Sequence, residues 1–398
     1  MPGFELFGDE ERKEVQDVLD SGVLMRYGFD GMRNGHWKAK ELEQAITETF
    51  DVKHAQLTSS GTTALSTAMA VMGVGAGDEV IMPTFTFVAS FEAIIAAGAT
   101  PVLVDIDDTL CLDPAAVKAA ITPNTKMVMP VHMCGSMAQM DELKSICDEH
   151  NLLLLEDACQ AIGGTFQGKK LGTIGHAGTF SFDFVKTITC GEGGVVLTND
   201  EKLYTNADHY SDHGHDHIGN DRGAEEHPFL GYNYRISELH AAVGLGQIRK
   251  LDHILATQRK HNAIVKSALA EVEGITFRRI PDPAGDNASF LSFFLPTEEL
   301  AREGHKALLD NGLGGNFYWY DNNWHYIKKW DHLKNVTSLF PLNPALTEAL
   351  KGYDFDQFGK SDAIMGRTIS SLINLSWTEE QAQERASKMA ATLKEVLS

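Results

Sequence analysis

Between His54 and Asp200 the chain repeats one pattern, a short apolar run followed by a helical segment, and nothing else in the sequence limits the fold so strongly. Strands are predicted at His54–Leu57, Glu79–Met82, Pro101–Asp105, Met127–His132, Leu152–Glu156, Gly178–Phe182 and Gly194–Thr198. Several of these runs are apolar throughout, without the alternation of a half-exposed strand, so both faces should be covered. Thr62–Met72, Ala89–Ala97 and Met140–His150 read as crossover helices. The expected class is therefore α/β, three layers built on a mainly parallel central sheet. Beyond about residue 250 the texture changes to a helix over Ile254–Val272, a strand pair near Thr276–Arg279 and Ser289–Leu295, and further helices to Ser398. A length of 398 residues exceeds what one core usually organises. The expected division is a large domain over 1–253 and a smaller α+β C-terminal domain over 254–398.

Charge and composition narrow the partners. A formal net charge of −21 repels a phosphate backbone, so no nucleic acid is expected. No apolar run reaches the length of a membrane span, and the first residues lack the basic-then-apolar pattern of a secretory signal. A cytoplasmic location without membrane contact is the expectation. The five cysteines are odd in number and widely spaced, which reads as free thiols rather than a disulfide frame or a metal set.

Three segments carry candidate chemistry. At Thr58-Ser59-Ser60-Gly61-Thr62-Thr63 a strand ends in small hydroxyl residues and a helix begins. Unpaired amides at such a terminus suit a phosphate, although the same residues also cap helices that bind nothing. The run Leu152–Leu155 ends in Glu156-Asp157, placing carboxylates at the sheet edge where open α/β folds bind ligands. An acid there suits a protonated ring nitrogen, a helix cap or a metal equally well. Lys186 follows the apolar strand Gly178–Phe182 and precedes the bend Gly191-Glu192-Gly193-Gly194. A lysine on such a turn, partly desolvated, is a candidate nucleophile. The aromatic segment Phe317–Trp330 reads either as a contact between domains or subunits or as a wall facing substrate.

Taken together and in order, Ser60-Gly61-Thr62-Thr63-Ala64-Leu65, Pro83–Ala89, Glu156-Asp157-Ala158, Ser181 with Lys186, Gly191–Gly194 and Gly231–Arg235 resemble the DegT-type sugar aminotransferases among the fold-type I pyridoxal-phosphate enzymes. That resemblance implies pyridoxal 5'-phosphate as cofactor, with pyridoxamine 5'-phosphate as its intermediate form. It makes Lys186 the lysine that bonds to the cofactor aldehyde and shuttles the proton, and Asp157 the acid that keeps the pyridine nitrogen protonated. Phe87 would stack on the ring, Gln160 would sit near its hydroxyl, and Gly61, Thr62 and Ser181 would cradle the phosphate. Asn233 would reach the phosphate of a neighbouring subunit, which implies a homodimer with shared active sites. Some members of the family carry histidine at the lysine position and act as dehydratases, whereas Lys186 points to transamination.

Further strings, among them Met1–Gly8, Arg26-Tyr27, Ser211–Gly219, Phe317–Tyr320, Asn323–Tyr326 and Ser361–Ile369, resemble members that act on a free eight-carbon sugar acid. The implied reaction moves the amino group of L-glutamate to the C8 aldehyde of 3-deoxy-8-oxo-manno-octulosonate, giving 8-amino-3,8-dideoxy-manno-octulosonate for lipopolysaccharide. The alternative acceptor is a nucleotide-linked keto-sugar. A sugar acid needs a cationic clamp for its carboxylate, for which Arg26, Arg33, His213, His215 and His217 are the candidates. Gly214 and Asp216 make the histidine run a loop rather than a preorganised strand, so no metal is expected.

Overall fold

The computed structural model describes residues 3–219, 223–339 and 341–398. Strands β1 (His54–Thr58), β2 (Glu79–Pro83), β3 (Thr100–Val104), β4 (Thr125–Val128) and β5 (Leu153–Asp157) are followed by a small hairpin of β6 (Thr165–Phe166) and β7 (Lys169–Lys170), then by β8 (Ala177–Ser181) and β9 (Gly194–Thr198). The seven long ones form a single sheet in the order β1-β9-β8-β5-β4-β2-β3. Only β9 runs against its neighbours. The carboxyl ends of β1, β2, β5 and β8 therefore share one edge, and the loops leaving them converge there.

All seven strands expected from the sequence are present. β4 is shorter than predicted, because Pro130 cannot donate a ladder hydrogen bond; its carbonyl instead accepts from the Asp157 amide. The crossover helices fall at Gly61–Val71, Val88–Ala96 and Met140–His150. Apolar side chains of these helices pack on the sheet in one continuous core, in which Leu57, Ala68, Ile81, Phe91, Met127, Leu155 and Phe180 are essentially inaccessible.

A second sheet follows, with β10 (Thr276–Phe277), β11 (Phe290–Phe294), β12 (Asn316–Phe317) and β13 (Thr368–Leu372) in the antiparallel order β10-β11-β13-β12. The helices Leu251–Leu269, Glu298–Asp310 and Glu379–Leu397 pack with it around a separate cluster that includes Val265, Phe293, Ile369 and Met389. The division expected after residue 253 falls inside the helix Leu251–Leu269, so a rigid element crosses it. Phe290, Phe294 and Trp319 also belong to the larger core rather than to the smaller one. Among the described residues no helix is long and apolar enough to cross a membrane.

Neighbouring residues on a strand face opposite sides, and this separates the two acids at the end of β5. Glu156 is wholly buried and accepts from the amides of Gly172, Ile174 and Gly175 at 2.9, 2.6 and 2.7 Å, with His132 Nε2 3.1 Å away. Its carboxylate satisfies the turn that leads into β8, leaving Asp157 to face the other way. Replacing Glu156 with leucine strands one buried and two part-buried amides, and we expect a loss of about 3 kcal/mol in urea-unfolding free energy. Wild-type stability in that variant would exclude this role for the buried carboxylate.

Candidate active site

A cavity of about 630 Å³ opens at the shared strand edge. Ser60 caps the helix Gly61–Val71: its side chain accepts from the Thr63 amide, and Thr63 Oγ1 in turn accepts from the Ser60 amide at 2.9 Å. The Gly61 and Thr62 amides have no protein partner among the described residues, as expected for the first turn of a helix. Gly61 and Ser181 approach so closely that a Cβ at Gly61 would lie 2.7 Å from Ser181 Cβ, and one at Gly194 would lie 2.2 Å from the Ser60 carbonyl oxygen. Only glycines let these loops pack into a compact pocket of amides and hydroxyls. Such a pocket suits a phosphate.

Asp157 lies in the same cavity, its Oδ2 accepting from Ser90 Oγ at 2.7 Å and its Oδ1 from the Cys159 amide at 3.2 Å. Ser90 is held in turn by Thr86 Oγ1 at 2.7 Å. Gln160 lines the cavity and accepts from the Cys134 amide through Oε1 at 3.0 Å, which fixes its side chain. Lys186 sits on the turn after β8, half-buried, its amide bonded to the Asp183 carbonyl at 3.0 Å. No hydrogen bond or ion pair engages its Nζ among the described residues. The amine is free to react.

Phe87 precedes the helix Val88–Ala96, its ring 5.6 Å from that of Trp324 and 5.4 Å from that of His325. The backbone fixes this grouping: the Thr86 amide donates to the His325 carbonyl at 3.0 Å and the Val88 amide to the Trp324 carbonyl at 2.8 Å. Phe85 and Tyr326 form a bridge between them. Of the aromatic segment, Phe317, Trp319, Trp324 and His325 line the cavity. Tyr326 and Trp330 are core instead.

Ser90 belongs to the site but escapes sequence reasoning; His325 and Asn322 lie in the aromatic segment 317–330, and Phe4 and Glu5 in the Met1–Gly8 string, with no individual role that the sequence assigns them. Burial, and after it the positive charge of Lys186, push the His325 imidazole down to about 3. It is therefore neutral across the physiological range. Its Nδ1 lies 2.9 Å from Asn322 Oδ1, an acceptor, so Nδ1 carries the proton and Nε2 offers a lone pair.

The five cations proposed for a substrate carboxylate do not line this cavity. Arg26 is buried against Glu43 at 2.5 Å, and Arg33 donates to the Gly28 and Met25 carbonyls and lies 3.3 Å from Glu238. His215 lies 2.9 Å from Glu225, and His213 is exposed on a left-handed turn. His217 is held between Asp208 at 2.7 Å and Asp212 at 2.9 Å. Each arginine, and His215 and His217, thus has an acid partner that the linear sequence does not reveal. Asn233 is also outside the cavity, exposed on a strand-like segment that bridges Asp212.

Burial alone would lower the His217 imidazole, but its two carboxylate partners raise it to about 9. A folded value above the ordinary one near 6.5 means that the stabilisation is complete below about pH 6.5 and disappears as pH rises through 9. We expect His217→Gln to cost roughly 2 kcal/mol at pH 6.5 and little at pH 10, read from paired denaturation curves. A difference independent of pH would remove the protonated imidazole from this account.

The DegT/DnrJ/EryC1/StrS aminotransferase family model matches residues 6–349. A GDP-perosamine synthase from Vibrio cholerae is 36% identical over 338 residues, spanning 84% of this chain and 87% of that protein. Another, from Caulobacter vibrioides, is 44% identical over 221 residues, covering 55% of this chain and 58% of its own length. Among solved structures, an aminotransferase from Psychrobacter cryohalolentis superposes with a TM-score of 0.83 at 25% identity, with 98% of each chain covered.

Proposed function

Because the chain belongs to the DegT/DnrJ/EryC1/StrS family and is a pyridoxal-phosphate-dependent aminotransferase, we propose that its acceptor is a sugar carbonyl and that Lys186 and Asp157 are its catalytic residues. One observation carries this reading: a single cavity collects an unpaired lysine amine, an oriented carboxylate, an aromatic ring and free helix-terminal amides. These residues fit the cofactor by their donor chemistry. The amides of Gly61 and Thr62 with Ser181 would take its phosphate, Asp157 its ring nitrogen, Phe87 a ring face, and Gln160 the neighbourhood of its hydroxyl. When bound, pyridoxal phosphate supplies an electron sink for the reacting carbon.

The chain's own groups do the rest. Lys186 Nζ moves the proton at the substrate carbon, and having no partner among the described residues leaves that amine able to gain and lose it. Ser90, held by Thr86, keeps Asp157 Oδ2 aimed into the cavity. Neutral His325 presents an acceptor to a substrate hydroxyl while adding no charge beside Lys186. Buried Trp319 excludes water from one side. One cavity serves an amino-acid donor, for which L-glutamate is our choice, and then the sugar.

The relatives favour a nucleotide-linked keto-sugar as acceptor, since two of them are GDP-perosamine synthases. A second reading, the C8 aldehyde of the eight-carbon sugar acid, draws support from a different observation. Phe317–Tyr320 and Asn323–Tyr326, two of the strings that resemble enzymes of that acceptor, supply Phe317, Trp319, Trp324 and His325 to the cavity wall. The exposed Asn233, beside the exposed Tyr232 and Leu230, suits a homodimer in which this loop completes the partner's site. It would then face a phosphate that its own chain does not offer it.

Borohydride reduction of the holoenzyme should fix the cofactor mass on the peptide containing Lys186, and Lys186→Ala should abolish amine transfer. A label on any other peptide would refute the assignment. Incubation with glutamate and each acceptor in turn, with mass detection of the aminated sugar, separates the two acceptors. The nucleotide-linked reading predicts at least a hundredfold preference in kcat/KM for the nucleotide sugar over the free acid, because contacts to the nucleotide are realised only with that substrate.

A further inference from the structure

The N-terminal segment is fastened over the candidate site at several points. Gly3–Leu6 forms a short 3-10 turn whose first amide, that of Gly3, donates to the Lys186 carbonyl at 3.0 Å. Gly3 lies so close to the chain beneath it that an added Cβ would stand 2.8 Å from the Thr187 carbonyl oxygen. Phe4 stacks on Phe184, with ring centroids 4.3 Å apart and planes 5° from parallel. The Leu6 carbonyl accepts from Lys250 Nζ at 2.8 Å. Glu5, between these anchors, reaches the other unit of the molecule, its Oε2 accepting from the Ser376 amide at 2.6 Å. The segment thus ties the Lys186 loop to the residues that follow the second sheet.

Phe4 and Glu5 both line the cavity, on the side where Leu372 and Asn374 lie. One oxygen of Glu5 is committed to Ser376, while Oε1 has no protein partner among the described residues. The other charged groups lining the cavity are Asp157, Asp183, Lys186 and Glu192, so acids outnumber the lysine. A carboxylate fixed here repels a substrate phosphate or carboxylate and accepts from hydroxyls, whose O–H···O⁻ bonds are short and strong. We infer that Glu5 reads the hydroxyls of the sugar acceptor. The anionic end of either substrate then points away from this strap. The inference rests on the sugar-acceptor reading and extends it by naming the residue that recognises the polyol portion.

Glu5→Gln tests it in the full-length holoenzyme. The amide oxygen of glutamine still accepts from the Ser376 amide, so the strap stays attached while the charge is lost. The two half-reactions are followed separately, through the change in cofactor absorbance with glutamate and its reversal by the sugar. The sugar half-reaction should fall ten- to a hundredfold in kcat/KM, roughly the worth of one charged hydrogen bond. The loss should appear mainly in the apparent affinity for the sugar, with a change below about twofold for glutamate. Equal losses in both halves would mean that Glu5 only supports the loop and would overturn the inference, as would no loss in either. If the wild-type enzyme aminates no sugar carbonyl, the broader sugar-acceptor reading fails instead, which the wild-type control reveals before the variant is compared.

Discussion

The arrangement of the site depends on one buried carboxylate that does not itself line the cavity. Glu156 gathers three amides of the turn at 172–175 and lies against His132, thereby fixing how the end of β5 meets the turn that leads into β8. A charge with no exposure is tolerable only because those donors replace its water. Once Glu156 is held on one side of the strand, the pleat forces Asp157 to the other side, into the cavity. The register with β8 then sets Asp157 beside Thr179, two residues before Ser181 and seven before Lys186. Acid, hydroxyl and amine are thus positioned by one strand pair.

The same economy governs the phosphate pocket. Three loops meet within van der Waals contact at Ser60-Gly61, Ser181 and Gly194, where side chains larger than hydrogen would force them apart. What remains is a surface of backbone donors and small hydroxyls. An anion there would be held by the orientation of a helix terminus rather than by a net positive charge, which agrees with a strongly acidic chain.

Much of this was legible in the sequence for a physical reason. Several strands buried on both faces are apolar throughout, and their regular alternation with helical segments let all seven long strands of the large sheet be read. By contrast, β12 has two residues and β13 is Thr-Ile-Ser-Ser-Leu, neither of which shows a period. Local motifs such as Ser60-Gly61-Thr62 and Asp183–Lys186 keep their geometry within a few residues. Ser90 enters the site only through contacts far along the chain, and no local pattern marks it; Glu5 and His325 lie in strings that the sequence singles out, but distant contacts alone set their place in the site. The clamp candidates misled in the same way. Arg26, Arg33 and His217 look like unused cations in one dimension, whereas folding supplies Glu43, Glu238, Asp208 and Asp212 from distant positions.

The backbone bonds that join 84–88 to 324–327 couple the Phe87 ring to the aromatic wall of the cavity. A shift in either strip drags the other with it. Exchanging the aromatic segment for that of a relative, without its companion strip, would disturb Phe87 and the floor of the cavity with it. Acceptor preference in this architecture must therefore drift through residues outside the laced pair, or through both strips changing together.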